Sequence, residues 1–438
     1  MCFKTWRLRV FMGGILFLGC ARFLSGLDLP TRKIEDDAAL RSTLKEFWFT
    51  EASDRVLNER AFIHTLPGGS RIQVRAEAGK DEFMIVLARE RNGSFPGWAQ
   101  GSWILTRRKD NGQPSRIRVF LRSDPYTYVQ FRPSAEDRCF MDVVLYDAFV
   151  ARSVPLPYSL ERLMTVPLEE VLSTAGTKFP RHYFDPQPEM YRDLRLFISR
   201  LRDRLPELRF RDDGAMDAEG RYVFINTLQA QEGEGGLNCS GFAKWVVDGI
   251  MRPITGERLP IPPLKEPFGE RGSSLTDPYE KLRDPFFGLD WTRNLASRAG
   301  IALCAPAFGT LEEIEVQDRP FASLIQRGQQ GTTFRSYPSF LLNAGFSFEG
   351  IHPLLYTLAI DEPGTLYLAS VNTEMNPKPR MRQHFHVAVL VPYFNEYGNF
   401  QVAVFESAEE TSFNAFKNRY PGHFVNLVRI PVETRFDP

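Results

Sequence analysis

Two adjacent glycines, an asparagine, and then apolar residues every three or four places constrain this chain more than any other stretch: GGLNCSGFAKWVVDG, residues 235–249. Gly235 and Gly236 break what precedes them, Asn238 is a good N-cap, and Phe242, Trp245, Val246 and Gly249 recur on one helical face. The pattern predicts an amphipathic helix with Cys239 in its first turn. Unpaired backbone N–H groups and the positive end of the helix dipole favour thiolate over thiol there, and the thiolate is the form that attacks a carbonyl. A free cysteine with no context is a small buried hydrophobe. Cys239 therefore becomes a candidate nucleophile only if a base can reach it.

Such a base stands far downstream. His386 lies near the start of QHFHVAVLVPYF, an alternating strand, and a second strand, EPGTLYLASVN, precedes it through a Pro363-Gly364 turn. A cysteine on a helix N-terminus and a histidine on a nearby strand are the two parts a thiol hydrolase needs. After Tyr397-Gly398 the chain continues as FQVAVFES, which should pair with the histidine strand as a hairpin and carries Glu406 near its end.

Three stretches, Asn238-Cys239-Ser240-Gly241-Phe242, Pro363-Gly364-Thr365-Leu366 and His386-Val387-Ala388-Val389-Leu390, stand in this order in the chain. Residues 186–430 thereby resemble the NlpC-type cell-wall cysteine peptidases, a papain-like family that cuts peptide stems of peptidoglycan. Asn238 and Thr365 stand where the family carries aspartate, and the interval from Cys239 to His386 is longer than is usual in the family, which implies a large insertion at 252–362. The resemblance implies Cys239 as nucleophile and His386 as base. His384 and His386 share a strand face by period two, and only His386 is followed two places on by the small residue of the family pattern, Ala388. Glu406 sits where the family places the polar residue that orients the imidazole, and a carboxylate there would hold the Nδ1 proton; a solvent-facing strand end is the alternative. Tyr222 matches a tyrosine that the family carries before the cysteine, or else is a strand aromatic in the core. Backbone N–H groups at the helix start, with Ser240 beside the thiol, would stabilise the oxyanion.

The N-terminus sets Lys4, Arg7 and Arg9 before a short apolar run, Val10 to Leu18, that ends at Gly19-Cys20. That is the order of a signal peptide within residues 1–25, too short for a membrane span, with Cys20 as a candidate lipidation site. The expected location is the periplasm or cell envelope, by simple export or by lipid anchoring to a membrane. With 54 basic and 54 acidic residues the formal charge is +0, so nothing steers the chain to nucleic acid. Five cysteines make no disulfide framework, and the pairing of Cys139 with Cys304 stays open.

Residues 30–155 read as an all-β accessory domain, a sandwich or barrel. Short β-branched and aromatic runs at 72–74, 83–88, 102–106, 116–121, 128–131 and 140–150 alternate with turn signals at Gly68-Gly69, Asn92-Gly93 and Asn111-Gly112. Arg107-Arg108-Lys109 falls at the last of these hairpins and reads as a solvated turn. Proline-rich residues 156–187 read as a linker with one short helix, and Pro188 opens a helix along Tyr191, Leu194, Ile198 and Leu201. RDDGAMDAEGRY lacks the alternating carboxylates of a calcium loop and reads as a polar turn. Within the insertion, a proline-rich start is extended chain, YPSFLLNAGF is helical, and the aromatic segment at 286–291 should cover the cleft rim.

The fold class expected is therefore α+β: a papain-like NlpC-type catalytic domain over 188–438, preceded by the β-domain. The expected function is an exported cysteine peptidase or amidase acting on peptidoglycan stem peptides without metal or cofactor. The alternatives are an envelope lipoprotein that binds peptidoglycan or a protein partner through an inactive cleft and, more weakly, an acyltransferase of related fold.

Overall fold

Alternating apolar residues and left-handed turn positions make the first half of the chain a sheet. The computed structural model describes residues 34–49, 53–134, 137–269, 284–321, 323–328, 331–336, 340–375 and 381–438. Residues 1–25, read above as a signal peptide, and with them Cys20, lie outside the described residues. Strands β1 (Phe62–Thr65), β2 (Arg71–Ala78), β3 (Glu82–Arg89), β4 (Trp103–Arg108), β5 (Pro114–Val119), β6 (Tyr128–Pro133), β7 (Cys139–Leu145) and β8 (Ala148–Leu156) pair in sequence order as an antiparallel meander. It is one sheet rather than two stacked ones. Every second side chain of β2 to β7, among them Val74, Ile85, Leu105, Ile117, Phe131 and Met141, joins one core with Trp48.

Three local readings are corrected here. The run 140–150 is two strands, split at Tyr146-Asp147, whose φ of 46° and 64° form a tight turn without glycine. The proline-rich stretch after β8 is not a free linker. Helices Leu160–Leu163 and Leu168–Thr174 bury Leu160, Leu163, Val171 and Leu172 in the same core. Arg41 Nη2 donates to the Val166 carbonyl at 2.7 Å and Asp36 accepts from the Leu168 N–H at 2.8 Å, so both flanks are tied down. Finally, Arg107 is buried: its guanidinium donates to the Gly112 carbonyl at 2.7 Å and lies over the Phe83 ring, while Arg108 pairs with Asp110 in solvent.

Helix Arg192–Arg204 forms as its periodicity requires, burying Leu194, Phe197, Ile198 and Leu201. The acidic loop beyond it is the turn of a small hairpin, β9 (Gly214–Met216) with β10 (Tyr222–Phe224), in which Asp217 Oδ1 accepts from the N–H groups of Glu219 and Arg221.

The second half is a six-stranded antiparallel sheet of β13 (Phe346–Ser347), β14 (Thr365–Met375), β15 (Met381–Phe394), β16 (Phe400–Glu406), β17 (Glu409–Thr411) and β18 (Phe424–Pro431), in the order β13-β18-β14-β15-β16-β17. Leu366, Leu368, Val387 and Val389 form one face, in the core that holds helices Cys239–Thr255 and Phe287–Leu303. Tyr367, Ala369, Val371 and Leu390 form the other, in a second core with Leu354 and Leu355 of helix Ile351–Asp361. The architecture is α+β.

The insertion is built into both sheets rather than hung outside them. Its hairpin β11 (Ser323–Gly328) and β12 (Gly331–Ser336) extends the first sheet to ten strands through pairing of β11 with β8. Its helix Phe287–Leu303 packs beside the Cys239 helix and places Arg293 in a buried network: Arg293 Nη2 reaches Glu315 Oε1 at 2.5 Å, and Asn426 donates to the same oxygen at 2.6 Å. The described part of YPSFLLNAGF is not helical. Asn343 and Gly345 have φ of 59° and 85°, the N–H groups of Ala344 and Gly345 bond back to Leu341, and the helix comes later, at Ile351.

Candidate active site

Asn238 caps the Cys239–Thr255 helix: its Oδ1 accepts the Gly241 N–H at 2.8 Å. Its carbonyl takes the Phe242 N–H, so the N–H groups of Cys239 and Ser240 are the donors of that turn without an intrahelical acceptor. Gly241 is required by packing, because a Cβ there would collide with the Gly214 carbonyl of β9. Trp291 Nε1 donates to the Ser240 carbonyl at 2.8 Å and fixes the same turn from the other side. Cys239 is thereby held, partly exposed, at a rigid helix start.

The sheet brings His386 to it. Pairing of β15 with β16 runs from Val389–Phe405 to Phe394–Phe400, so β16 ends with Glu406 just short of His386. The sulfur lies beyond that end, beside the Val387 N–H and the His386 imidazole, both of which favour its thiolate. His386 Nε2 bonds Glu406 Oε2 at 2.6 Å. That leaves Nδ1 as the nitrogen facing the thiol, so the expectation that the carboxylate would hold Nδ1 is corrected: Glu406 holds Nε2. Cys239, His386 and Glu406, far apart in the chain, are brought together, with Glu406 bonded to the imidazole and the imidazole beside the thiol.

The electrostatics favour an ion pair. Burial alone would raise the Cys239 thiol, but the His386 hydrogen bond and charge, the Val387 N–H and the Ser240 hydroxyl outweigh it and hold Cys239 below the ordinary thiol value. Burial likewise lowers His386, yet its bonds to Cys239 and Glu406 raise it to about 9. Burial raises Glu406, and its bonds to His386 and Arg419 bring it net below the usual carboxylate value. Cys139, by contrast, is a buried thiol pushed up to about 12, and it is not bonded to the exposed Cys304.

His384 does not share the face of His386. The ladder between β14 and β15 pairs Val371 with His386 and the adjacent Asn372 with His384, leaving Phe385 as a bulge. The period-two expectation fails because one extra residue inverts the facing. His384 is instead a satisfied core histidine: Nδ1 bonds the Ser370 hydroxyl at 2.8 Å and Nε2 the Asn343 carbonyl at 2.9 Å, and burial lowers it to about 3.

Tyr222 lies half-buried on β10 with its ring against Gly235, and the charges it feels are those of Glu207 and Arg204. None of its described interactions reaches Cys239 or His386. Sequence reasoning missed Arg419 and Tyr420. Arg419 Nη1 bonds Glu406 Oε1 at 2.7 Å, and the Tyr420 ring centroid lies 6.0 Å from that of His386. The only trace of them in sequence is Ser412, an N-cap that announces their short helix.

Among the described residues no group of three His, Cys, Asp or Glu side chains is arranged to hold a metal ion, and no helix is long and apolar enough to cross a membrane. A family model described as a domain of unknown function (DUF8515) matches residues 30–183, the ten-stranded sheet's first eight strands with the helices that follow. No curated protein and no solved structure matches the chain.

The role of Glu406 gives a direct expectation. Glu406→Gln removes the charge that helps keep His386 protonated, so the imidazolium should titrate below about 9, back toward the ordinary ~6.5. Alkylation of Cys239 at neutral pH should slow, and the thermal melt should drop, because the bond that helps hold His386 high also stabilises the fold. A histidine titration by NMR that leaves His386 unmoved would leave Glu406 a buried partner of Arg419 with no hold on the base.

Proposed function

We propose that the chain is an exported thiol hydrolase that cleaves amide bonds in peptidoglycan stem peptides. The observation that supports it most is the convergence of Cys239 at its helix start with His386, whose imidazole is bonded to Glu406, with a thiol held low and an imidazole held high. In the first step the Cys239 thiolate attacks the amide carbon, and the oxyanion is held by the Cys239 and Ser240 N–H groups. The proton on His386 Nδ1 passes to the leaving nitrogen as the carbon–nitrogen bond breaks. His386 then takes a proton from water, the resulting hydroxide attacks the thioester, and the carboxylate product leaves with the thiolate restored. Glu406 keeps the ring in one tautomer and orientation throughout.

The papain-like fold, the stem-peptide substrate and export rest on the NlpC-type resemblance of residues 238–242, 363–366 and 386–390 and on the N-terminal pattern ahead of Cys20. Digesting purified peptidoglycan with the wild type and with Cys239→Ala, then identifying fragments by mass, tests the reading. New amine and carboxylate termini within the stem, absent with Cys239→Ala, are expected. Identical fragment patterns from the two proteins would rule out the hydrolase.

A further inference from the structure

The carboxylate that orients His386 is itself held from its other side. Glu406 is 7% exposed, and a carboxylate so nearly buried needs a donor at each oxygen. Oε2 takes the His386 Nε2–H and Oε1 takes Arg419 Nη1–H at 2.7 Å. The glutamate's terminal torsion is soft, so one bond alone would leave the carboxylate free to rotate off the ring nitrogen. Two bonds to two oxygens fix it.

Residues 406–419 are folded so as to return Arg419 to that point. Directly after Glu406, Ser407 and Ala408 adopt φ of 51° and 72°, a tight turn made without glycine. β17 then pairs back on β16, the Ser412 hydroxyl accepts the Ala415 N–H at 3.2 Å to start helix Phe413–Arg419, and fully buried Phe416 pins that helix. Arg419 is its last residue, where a cation is favoured by the dipole. Thiolate, imidazolium, carboxylate and guanidinium then alternate in sign along one line and sum to zero.

We propose that Arg419 is a positioning residue of the thiol site, acting through its bond to Glu406, and that the 406–419 unit exists to clamp that carboxylate against His386; the Tyr420 ring, over which Arg419 also lies, packs beside the imidazole. The inference rests on the thiol-hydrolase reading above. An independent control lies in the same unit: Glu410 of β17 makes a two-bond ion pair with Arg202, both at 2.7 Å, without touching Glu406. Loss of that pair tests loosening of the unit without loss of the clamp.

The experiment follows iodoacetamide alkylation of Cys239 against pH in the full chain, with peptide mapping to separate it from the other four cysteines. Arg419→Ala should raise the alkylation midpoint by about one pH unit, tenfold less thiolate below it. Arg419→Lys should recover at least half of that shift, and Arg202→Ala should leave the midpoint in place. In a Glu406→Gln background Arg419→Ala should add much less than it does alone, because the route through the carboxylate is gone. Arg419 is half-exposed, so these variants should fold, and matching melts confirm that. A depressed wild-type midpoint that Arg419→Ala does not move, or moves equally with Glu406→Gln, overturns the clamp while leaving the hydrolase. An ordinary wild-type midpoint overturns both.

Discussion

His386→Ala should slow alkylation of Cys239 at pH 7 by up to about 30-fold, because an ordinary thiol of pKa ~8.5 is only ~3% ionised there. His386 supplies both the hydrogen bond and the positive charge that hold Cys239 low, and what remains is a helix N-terminus working against burial. The proposed amide hydrolysis should fall further, by 10²-fold or more, since the proton acceptor and donor is lost as well. The same coupling fixes the pH window. The ion pair should persist from the lowered thiol value up to about 9, where His386 gives up its proton and the leaving nitrogen loses its acid. The linkage to stability has the matching sign. A folded value of about 9 against ~6.5 unfolded means that His386 contributes fully below pH ~6.5 and that this contribution is lost as pH rises through about 9. Rates for His386→Ala equal to wild type at every pH would remove the imidazole from the site.

What could be read ahead of the structure follows from how local each signal is. The Asn238 cap, the Cys239 helix and the Asn111-Gly112 hairpin depend on residues within a few places of one another, and all three form. The split at Tyr146-Asp147 and the turn at Ser407-Ala408 escape detection because both put non-glycine residues at positive φ, a cost that surrounding structure has to offset. Tyr146 shows how: its ring stacks on His352 at 3.9 Å. The Phe385 bulge is equally hidden, since register belongs to a pair of strands and only the partner β14 reveals the extra residue. It is also consequential, for it places His384 and His386 on opposite faces and so separates a core histidine from the base. Glu406 was legible from its place near the end of the strand that follows the histidine strand, where the resembled family carries its polar third residue, whereas Arg419 was not, because their contact depends on the hidden turn between them.

The insertion carries the other large effect, and the physical question is whether it covers the protein or completes it. Trp291 was expected at a cleft rim, yet it has no exposed surface, stands 5.3 Å from the Phe287 ring, and donates its indole N–H to the Ser240 carbonyl. Leu295, Ala296 and Ala299 of the same helix are buried in the core that holds Phe242, Val246 and Ile250 of the Cys239 helix. Trp291→Ala should therefore cost about 3–5 kcal/mol, a transfer loss plus a cavity, with about 1 kcal/mol more for the orphaned hydrogen bond. Against a total stability of roughly 5–15 kcal/mol, that threatens the fold itself. Trp291→Phe isolates the hydrogen bond, for it keeps most of the apolar ring, and it should fold with Cys239 alkylating within a few-fold of wild type. Replacing residues 255–330 with a short Gly/Ser linker should yield no soluble protein, because it deletes a core helix together with β11, the strand through which β12 joins the first sheet. Thermal melts decide the matter. A Trp291→Ala protein that unfolds within a degree or two of wild type would make the helix a peripheral cover over the site and return the insertion to the role its aromatic sequence first indicated.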